Sequence, residues 1–180
     1  MLTDSSSKLL LSLLRDVPDF PKPGIVFKDI TPILANAKAR KLLTTLLTDQ
    51  YASHGIEAVA GIEARGFLFG MVLADALNVP FLPVRTAGKL PYKRLSETYD
   101  LEYGTATVEM HEDAVRKGQK ILIHDDLLAT GGTAAAAGRL VKRLGGEVTG
   151  FSFVISLQFL IGKKNLEQSF GAPVRSLFDF

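Results

Sequence analysis

Residues 121–133, Ile-Leu-Ile-His-Asp-Asp-Leu-Leu-Ala-Thr-Gly-Gly-Thr, gather the residue types that can hold a phosphorylated sugar. Asp125 and Asp126 are adjacent carboxylates at the end of an apolar run long enough for a buried parallel strand. Vicinal hydroxyls donate to such carboxylates in charge-assisted hydrogen bonds worth roughly 1.5–3 kcal/mol each. A short loop of little side-chain bulk follows, Ala129-Thr130-Gly131-Gly132-Thr133, and opens into an alanine-rich helical stretch over 134–144. Backbone N–H groups at a helix start of this kind can cradle an anion. A ribose 5-phosphate matches both halves of the pattern. A lone Gly-Gly is ordinarily a turn, and paired acids are ordinarily a solvated strand end. Here strand, acids, loop and helix fall in register, which neither of those readings requires. The segment is not a nucleoside-triphosphate loop, because no Lys precedes Thr133, and it is not Gly-x-Gly-x-x-Gly.

The elements that must position these groups read as an alternation of strands and helices. Ala58 to Ile62 is a small buried strand, 66–77 a helix, and Phe81 to Arg85 a third extended segment. The 121–124 strand and its helix come next, Gly145-Gly146 closes that helix, and 148–157 returns as a strand. This order predicts an α/β fold with a mostly parallel central sheet flanked by helices, with ligands at the carboxyl ends of its strands. Before it, 1–16 reads as a helix capped by Ser5, Ser6 or Ser7, with its leucines packed inward. Pro18, Pro21, Pro23 and Gly24 punctuate the exit, and 25–27 is a short extended piece. Thr31-Pro32 reads as an N-cap with Pro at the first helical position, and leucines at 42, 43, 46 and 47 follow at helical spacing. Residues 86–98, with Gly88, Lys89, Pro91, Lys93 and Arg94, read as a long mobile basic loop, and 99–110 as a hairpin around Gly104.

Composition narrows the function classes. A chain of 180 residues suits one domain with a single core. A net charge of +2 is too small to imply nucleic-acid binding. The absence of cysteine excludes disulfides, thiol chemistry and the usual structural zinc sites, and suits a cytoplasmic protein. The N-terminal leucine run is too short to span a membrane, and no small-residue cleavage site marks a signal peptide. His54, His111 and His124 share no metal-like spacing.

The 125–133 segment resembles the phosphoribosyl pyrophosphate signature of the type I phosphoribosyltransferase family, and within it the adenine-using members. The resemblance runs from Pro18 to the C-terminal strand. It implies a single domain over 1–180, with an N-terminal helix and base-binding hood over about 1–34 and a flexible catalytic loop over about 86–103. It also implies a set of roles. The 5-phosphate would lie on Ala129, Thr130, Gly131, Gly132 and Thr133, and the ribose hydroxyls on Asp125 and Asp126. The turn Gly61-Ile-Glu-Ala-Arg-Gly-Phe67 would offer pyrophosphate the backbone of Glu63 and Ala64, joined by a cis peptide, and the side chain of Arg65. Arg85 and Lys89 would add cationic cover, with Arg85 reaching into the neighbouring subunit of a homodimer. Glu102 is the matched candidate for proton transfer involving the purine, and Tyr103 for packing near the reacting centre. These two complete the catalytic set with Arg65. In the hood, Phe27 would stack on the base while main-chain groups of Val26 and Lys28 read its edge, and Leu160 would close its other face. From pattern alone Phe27 is more often a core residue, and Glu102 an exposed one.

The expected activity is purine salvage: transfer of 5-phosphoribosyl from phosphoribosyl pyrophosphate to N9 of adenine, giving AMP and pyrophosphate. Mg²⁺ would be bound mainly through phosphoribosyl pyrophosphate and water, with no protein ligand of its own. Three departures from the family pattern stand out. His124 occupies a position that is usually apolar, Lys28 stands where Arg is common, and Ser156 where an acid often stands. Two rivals share the phosphate site: a transferase for 6-oxopurines or orotate, and a non-catalytic sensor regulating transcription. The sensor needs a DNA-binding module, for which the roughly twenty residues before the hood are too few. A phosphoribosyl pyrophosphate synthase, usually a tandem two-domain chain, does not fit the length.

Overall fold

The computed structural model describes residues 4–101 and 104–180, with the side chains of residues 4–6 left aside. Glu102 and Tyr103 therefore lie outside the described residues. The chain forms two compact units, residues 1–49 and 50–180. Among the described residues no helix is long and apolar enough to cross a membrane.

The first unit opens with α1 (Asp4–Ser12), whose Leu10 is fully buried. β1 (Arg15–Pro18) and β2 (Val26–Asp29) then pair antiparallel, with Arg15 opposite Asp29 and Pro18 opposite Val26. In the connection, Asp19 accepts the Gly24 N–H at 2.7 Å, and Phe20 N–H donates to the Ile25 carbonyl at 3.2 Å. Lys28 and Asp16 form a cross-strand ion pair at 2.7 Å. Phe27, half-buried, meets Phe20 edge-on with ring centroids 5.2 Å apart.

α2 (Thr31–Ala35) departs from the expected cap: Thr31 is already helical, and Asp29 does the capping work. The two Asp29 carboxylate oxygens accept the Thr31 N–H at 2.8 Å and the Thr31 hydroxyl at 2.7 Å. A carboxylate two residues upstream satisfies an orphan helix-start donor and places negative charge at the positive end of the dipole. α3 (Ala37–Tyr51) buries Leu43, Leu46 and Leu47, as their spacing predicts.

The second unit runs β3 (Ala58–Ile62), α4 (Gly66–Leu77), β4 (Phe81–Thr86), β5 (Arg94–Asp100), β6 (Thr105–His111), β7 (Lys120–Leu128), α5 (Gly132–Arg143), β8 (Glu147–Ser156), α6 (Gly162–Phe170) and β9 (Val174–Asp179). Seven strands form one sheet in the order β5-β6-β4-β3-β7-β8-β9. β4, β3, β7, β8 and β9 are parallel, while the β5–β6 hairpin adds antiparallel to β4. This is the mostly parallel α/β sheet that the alternation of elements predicts. All five residues of β3 are buried, as expected for a strand covered on both faces. On one face Ala58, Ala60, Ile62, Ile121, Ile123, Phe151 and Phe153 pack with Ala136, Ala137 and Leu140 of α5. Chain order reverses between β3 and β7: β4 lies beyond one, and β8 and β9 beyond the other. In parallel sheets ligand crevices open at that switch point.

Two elements differ from expectation in ways that matter for the site. The strand carrying the acids does not stop at them; β7 continues through Asp125 and Asp126 to Leu128. Its pairing with β3 ends at His124, but its pairing with β8 goes on to Leu128 opposite Ser156. The acids thus remain held in a strand while one flank lies past the end of β3. The second difference is β5, which occupies 94–100 and so begins inside the stretch 86–98 where a loop was expected. Its residues alternate between exposed and half-buried, but the inward positions are Leu95, Glu97 and Tyr99. The middle one is charged and pairs with Arg139 and Arg143 of α5, so no apolar alternation signals the strand. β1 and α6 were also not anticipated.

Candidate active site

α5 begins beside the acids. Gly131, at its N-cap, has φ 83°, a left-handed conformation natural to glycine, and no side chain caps the helix. The first intrahelical donor is Ala135, whose N–H reaches the Gly131 carbonyl at 2.8 Å. The N–H groups before it have no partner from the helix itself, as at any helix start. Asp125, Phe153 and residues 127–134 line a cavity of about 80 Å³ at this end. Asp125 and the whole of Ala129, Thr130, Gly131, Gly132 and Thr133 therefore face one small space.

The loop is held from behind by residues that the sequence did not single out. The N-terminal turn of α6 packs flush on it, and a Cβ at Gly162 would overlap the Ala129 carbonyl oxygen. From the front, Thr133 donates its hydroxyl to the Tyr99 hydroxyl at 2.8 Å, and the Tyr99 ring lies against Gly132. A glycine inside a Leu-Ile-Gly-Lys helix start, and a Tyr at the start of the expected 99–110 hairpin, gave no local sign of these contacts.

Adjacent strand residues point to opposite faces, and the two acids accordingly do different things. Asp125 faces the loop cavity and accepts the Asp126 N–H on Oδ1 at 2.8 Å. Asp126, only 3% exposed, makes an ion pair with Arg65 at 3.0 Å. Burial raises the pKa of Asp125 well above the usual carboxylate range, and the neighbouring Asp126 charge adds to it. Burial also raises Asp126, and Arg65 works against that rise. Arg65 reaches Asp126 because α4 starts directly on β7: a Cβ at Gly66 would stand 2.9 Å from Asp125 Oδ1 and from the His124 carbonyl oxygen.

The Glu63–Ala64 peptide is cis, as the resemblance implied. The Glu63 carboxylate holds Arg85 at 3.1 Å and Lys89 at 2.8 Å. Arg65, Arg85 and Lys89, the cations expected to meet pyrophosphate, are thus each engaged by a carboxylate of the same chain. His124 is fully buried beneath the acids, with Nδ1 3.2 Å from the Ser152 hydroxyl. Burial lowers its pKa to about 3, so the ring is neutral. Leu160 is half-buried in the loop after β8 and lines a separate cavity of about 360 Å³ with Ser156, Gln158 and Lys163. Val26, Phe27 and Lys28 belong to the first unit, described above.

Comparison with known proteins finds similar chains along nearly the whole length. Residues 29–165 match the phosphoribosyl transferase domain family. An adenine phosphoribosyltransferase of Sorangium cellulosum is 49% identical over 180 residues, covering 99% of this chain and 90% of its relative. The crystal structure of an adenine phosphoribosyltransferase from Rhodothermus marinus superposes with a TM-score of 0.92 at 48% identity, covering 99% and 100% of the two chains. The Saccharomyces cerevisiae enzyme, solved with an imino-altritol bisphosphate and adenine, superposes at 0.88 with 40% identity, covering 97% and 99%.

Proposed function

The chain belongs to the phosphoribosyltransferase family and to its adenine phosphoribosyltransferase branch, and from that premise we propose how its residues make AMP and pyrophosphate from adenine and phosphoribosyl pyrophosphate. The observation that carries the proposal is the cavity shared by Asp125 and the 129–133 loop, where an uncapped helix start and a carboxylate face one small space. The loop N–H groups hold the 5-phosphate, and Asp125 with Asp126 holds the ribose hydroxyls. Fixing the ribose at both ends turns the approach of adenine into a positioned encounter. The C1′–O bond to pyrophosphate breaks as N9 bonds to C1′, and N9 gives up its proton, with Glu102 the matched candidate for proton transfer involving the purine. Charge grows on the departing pyrophosphate, where Arg65, Arg85, Lys89 and the 63–64 backbone stabilise it. Base choice is assigned to Val26, Phe27 and Lys28, and rests on the family pattern.

Mg²⁺ is the proposed cofactor. The buried Asp125 and Asp126 carboxylates would favour a divalent cation that arrives bound through phosphoribosyl pyrophosphate and water, without ligating it themselves. Such an ion supplies charge neutralisation at pyrophosphate. A homodimer and a cytoplasmic location complete the reading, the first from the family pattern and the second from the cysteine-free composition.

The test is product formation from phosphoribosyl pyrophosphate and Mg²⁺ with adenine, hypoxanthine, guanine and orotate offered in parallel. AMP from adenine alone is expected. Turnover of another base would remove the hood assignment, and tight substrate binding without turnover of any base would favour the sensor.

A further inference from the structure

Glu63 carries more contacts than a turn residue needs. Its side chain is 10% exposed, and four donors converge on it. Oε1 accepts from Lys89 Nζ at 2.8 Å and Arg85 Nη2 at 3.1 Å. Oε2 accepts from the Thr86 N–H at 2.9 Å and Arg85 Nε at 3.3 Å. Arg85 Nη1 also donates to the Lys89 carbonyl at 3.0 Å, so the 85–89 segment is closed onto one carboxylate. Hydrogen bonds from Arg85, then from Lys89 and Thr86, bring the Glu63 pKa down to about 2, and it stays ionised at any working pH.

We propose that the Glu63 carboxylate is a built-in counter-ligand, occupying Arg85 and Lys89 in the absence of pyrophosphate and exchanging them with it during turnover. The inference rests on the proposed placement of pyrophosphate against these two cations. It holds whether they serve their own subunit's site or a neighbour's, because in either case they must leave Glu63. Two cations on one carboxylate leave one positive charge in excess, enough to attract an anion. The carboxylate weakens the grip of the pair on that anion. Pyrophosphate is the product that must depart, and an internal competitor for its partners limits how tightly it is retained. Glu63 is then a positioning residue whose loss strengthens binding, the opposite of what loss of a purely structural residue does.

That sign is measurable. Inorganic pyrophosphate is titrated calorimetrically, with Mg²⁺ present, into the wild type, Glu63→Gln, Arg85→Ala and the pair Arg85→Ala/Lys89→Ala, with a thermal melt of each. Glutamine keeps an acceptor for the Thr86 N–H and removes the charge, so Glu63→Gln should bind pyrophosphate roughly tenfold more tightly. Arg85→Ala should bind it more weakly. Adding Glu63→Gln to the Arg85→Ala/Lys89→Ala background should change little, because the competed groups are gone. Unchanged or weaker binding by a folded Glu63→Gln, with Arg85→Ala still weakened, would overturn the counter-ligand and leave the pyrophosphate placement standing. Unchanged binding by Arg85→Ala and by the double variant would overturn that placement, and the inference with it. If Glu63→Gln does not fold, Glu63→Asp keeps the charge but shortens its reach. It should bind about two- to threefold more tightly, and weaker binding refutes the proposal.

Discussion

Gly162, which is not itself proposed to meet substrate, offers a test of the proposed phosphate loop from behind. It is the first residue of α6, and inside a helix alanine is favoured over glycine by up to about 1 kcal/mol. Judged locally, Gly162→Ala should stabilise the protein. Packing reverses the sign. A Cβ at 162 would overlap the Ala129 carbonyl oxygen and stand 2.9 Å from the Thr130 carbonyl carbon and 3.1 Å from that of Ala129. All three are backbone atoms of the loop, so no rotamer change relieves them. Restoring normal contact requires the loop and α6 to separate by on the order of 1 Å. Overpacking of this kind costs about 1–3 kcal/mol, which less the helix gain leaves a destabilisation of about 0–2 kcal/mol. For a chain of this size that lowers Tm by up to about 8 °C. The functional effect should be larger, since a misplacement of about 1 Å can lower a rate by about 10²-fold. Initial rates with phosphoribosyl pyrophosphate varied at saturating adenine should therefore show kcat/KM reduced about a hundredfold. Unchanged kcat/KM together with a raised Tm would refute the packing argument.

Replacing both acids, Asp125→Asn with Asp126→Asn, should lower kcat/KM by at least about 10²-fold while the protein still folds, because two charge-assisted acceptors for ribose are lost; near-wild-type turnover would remove the ribose assignment. Tyr99→Phe deletes the hydroxyl that accepts from Thr133 at 2.8 Å and should raise KM for phosphoribosyl pyrophosphate several-fold, with Tm changed by no more than a hydrogen bond of about 1 kcal/mol allows. An unaltered KM would make that contact incidental. His124 sets an acid limb of stability. Its folded pKa of about 3 lies below the ordinary 6.5, so between these values the unfolded chain binds a proton that the folded chain does not. Stability from this group is complete above pH 6.5 and is lost as pH falls toward 3, by up to about 1.4 kcal/mol per pH unit. His124→Asn should flatten stability between pH 7 and 4.5 in chemical denaturation, and an unchanged slope would show that the ring is not responsible.

What the amino-acid sequence determined by itself is whatever is built from neighbours along the chain. The proposed phosphate cradle is contiguous: strand, acids, a loop of Thr and Gly, and a helix start occupy one short stretch, so its residue types and spacing specify it without knowledge of the fold. Alternating apolar strands and helices likewise specified a mostly parallel sheet, and leucines at helical spacing specified the buried face of α3. The structure alone decided how distant segments divide the charges among themselves. Asp125 and Asp126 are equivalent in the sequence, yet strand alternation turns one toward the loop and the other toward Arg65. Arg85, at a strand end, and Lys89, in the loop after it, read as cations for pyrophosphate, and only the order β4-β3 brings them onto Glu63. β5 stayed hidden because the partners that bury its Glu97 are arginines on α5, and Gly162 because the atoms pressing on it belong to the loop after β7. Periodicity reports only whether a face is apolar. Which strand lies beside which, and therefore which carboxylate meets which cation, follows from long-range pairing that no local pattern encodes.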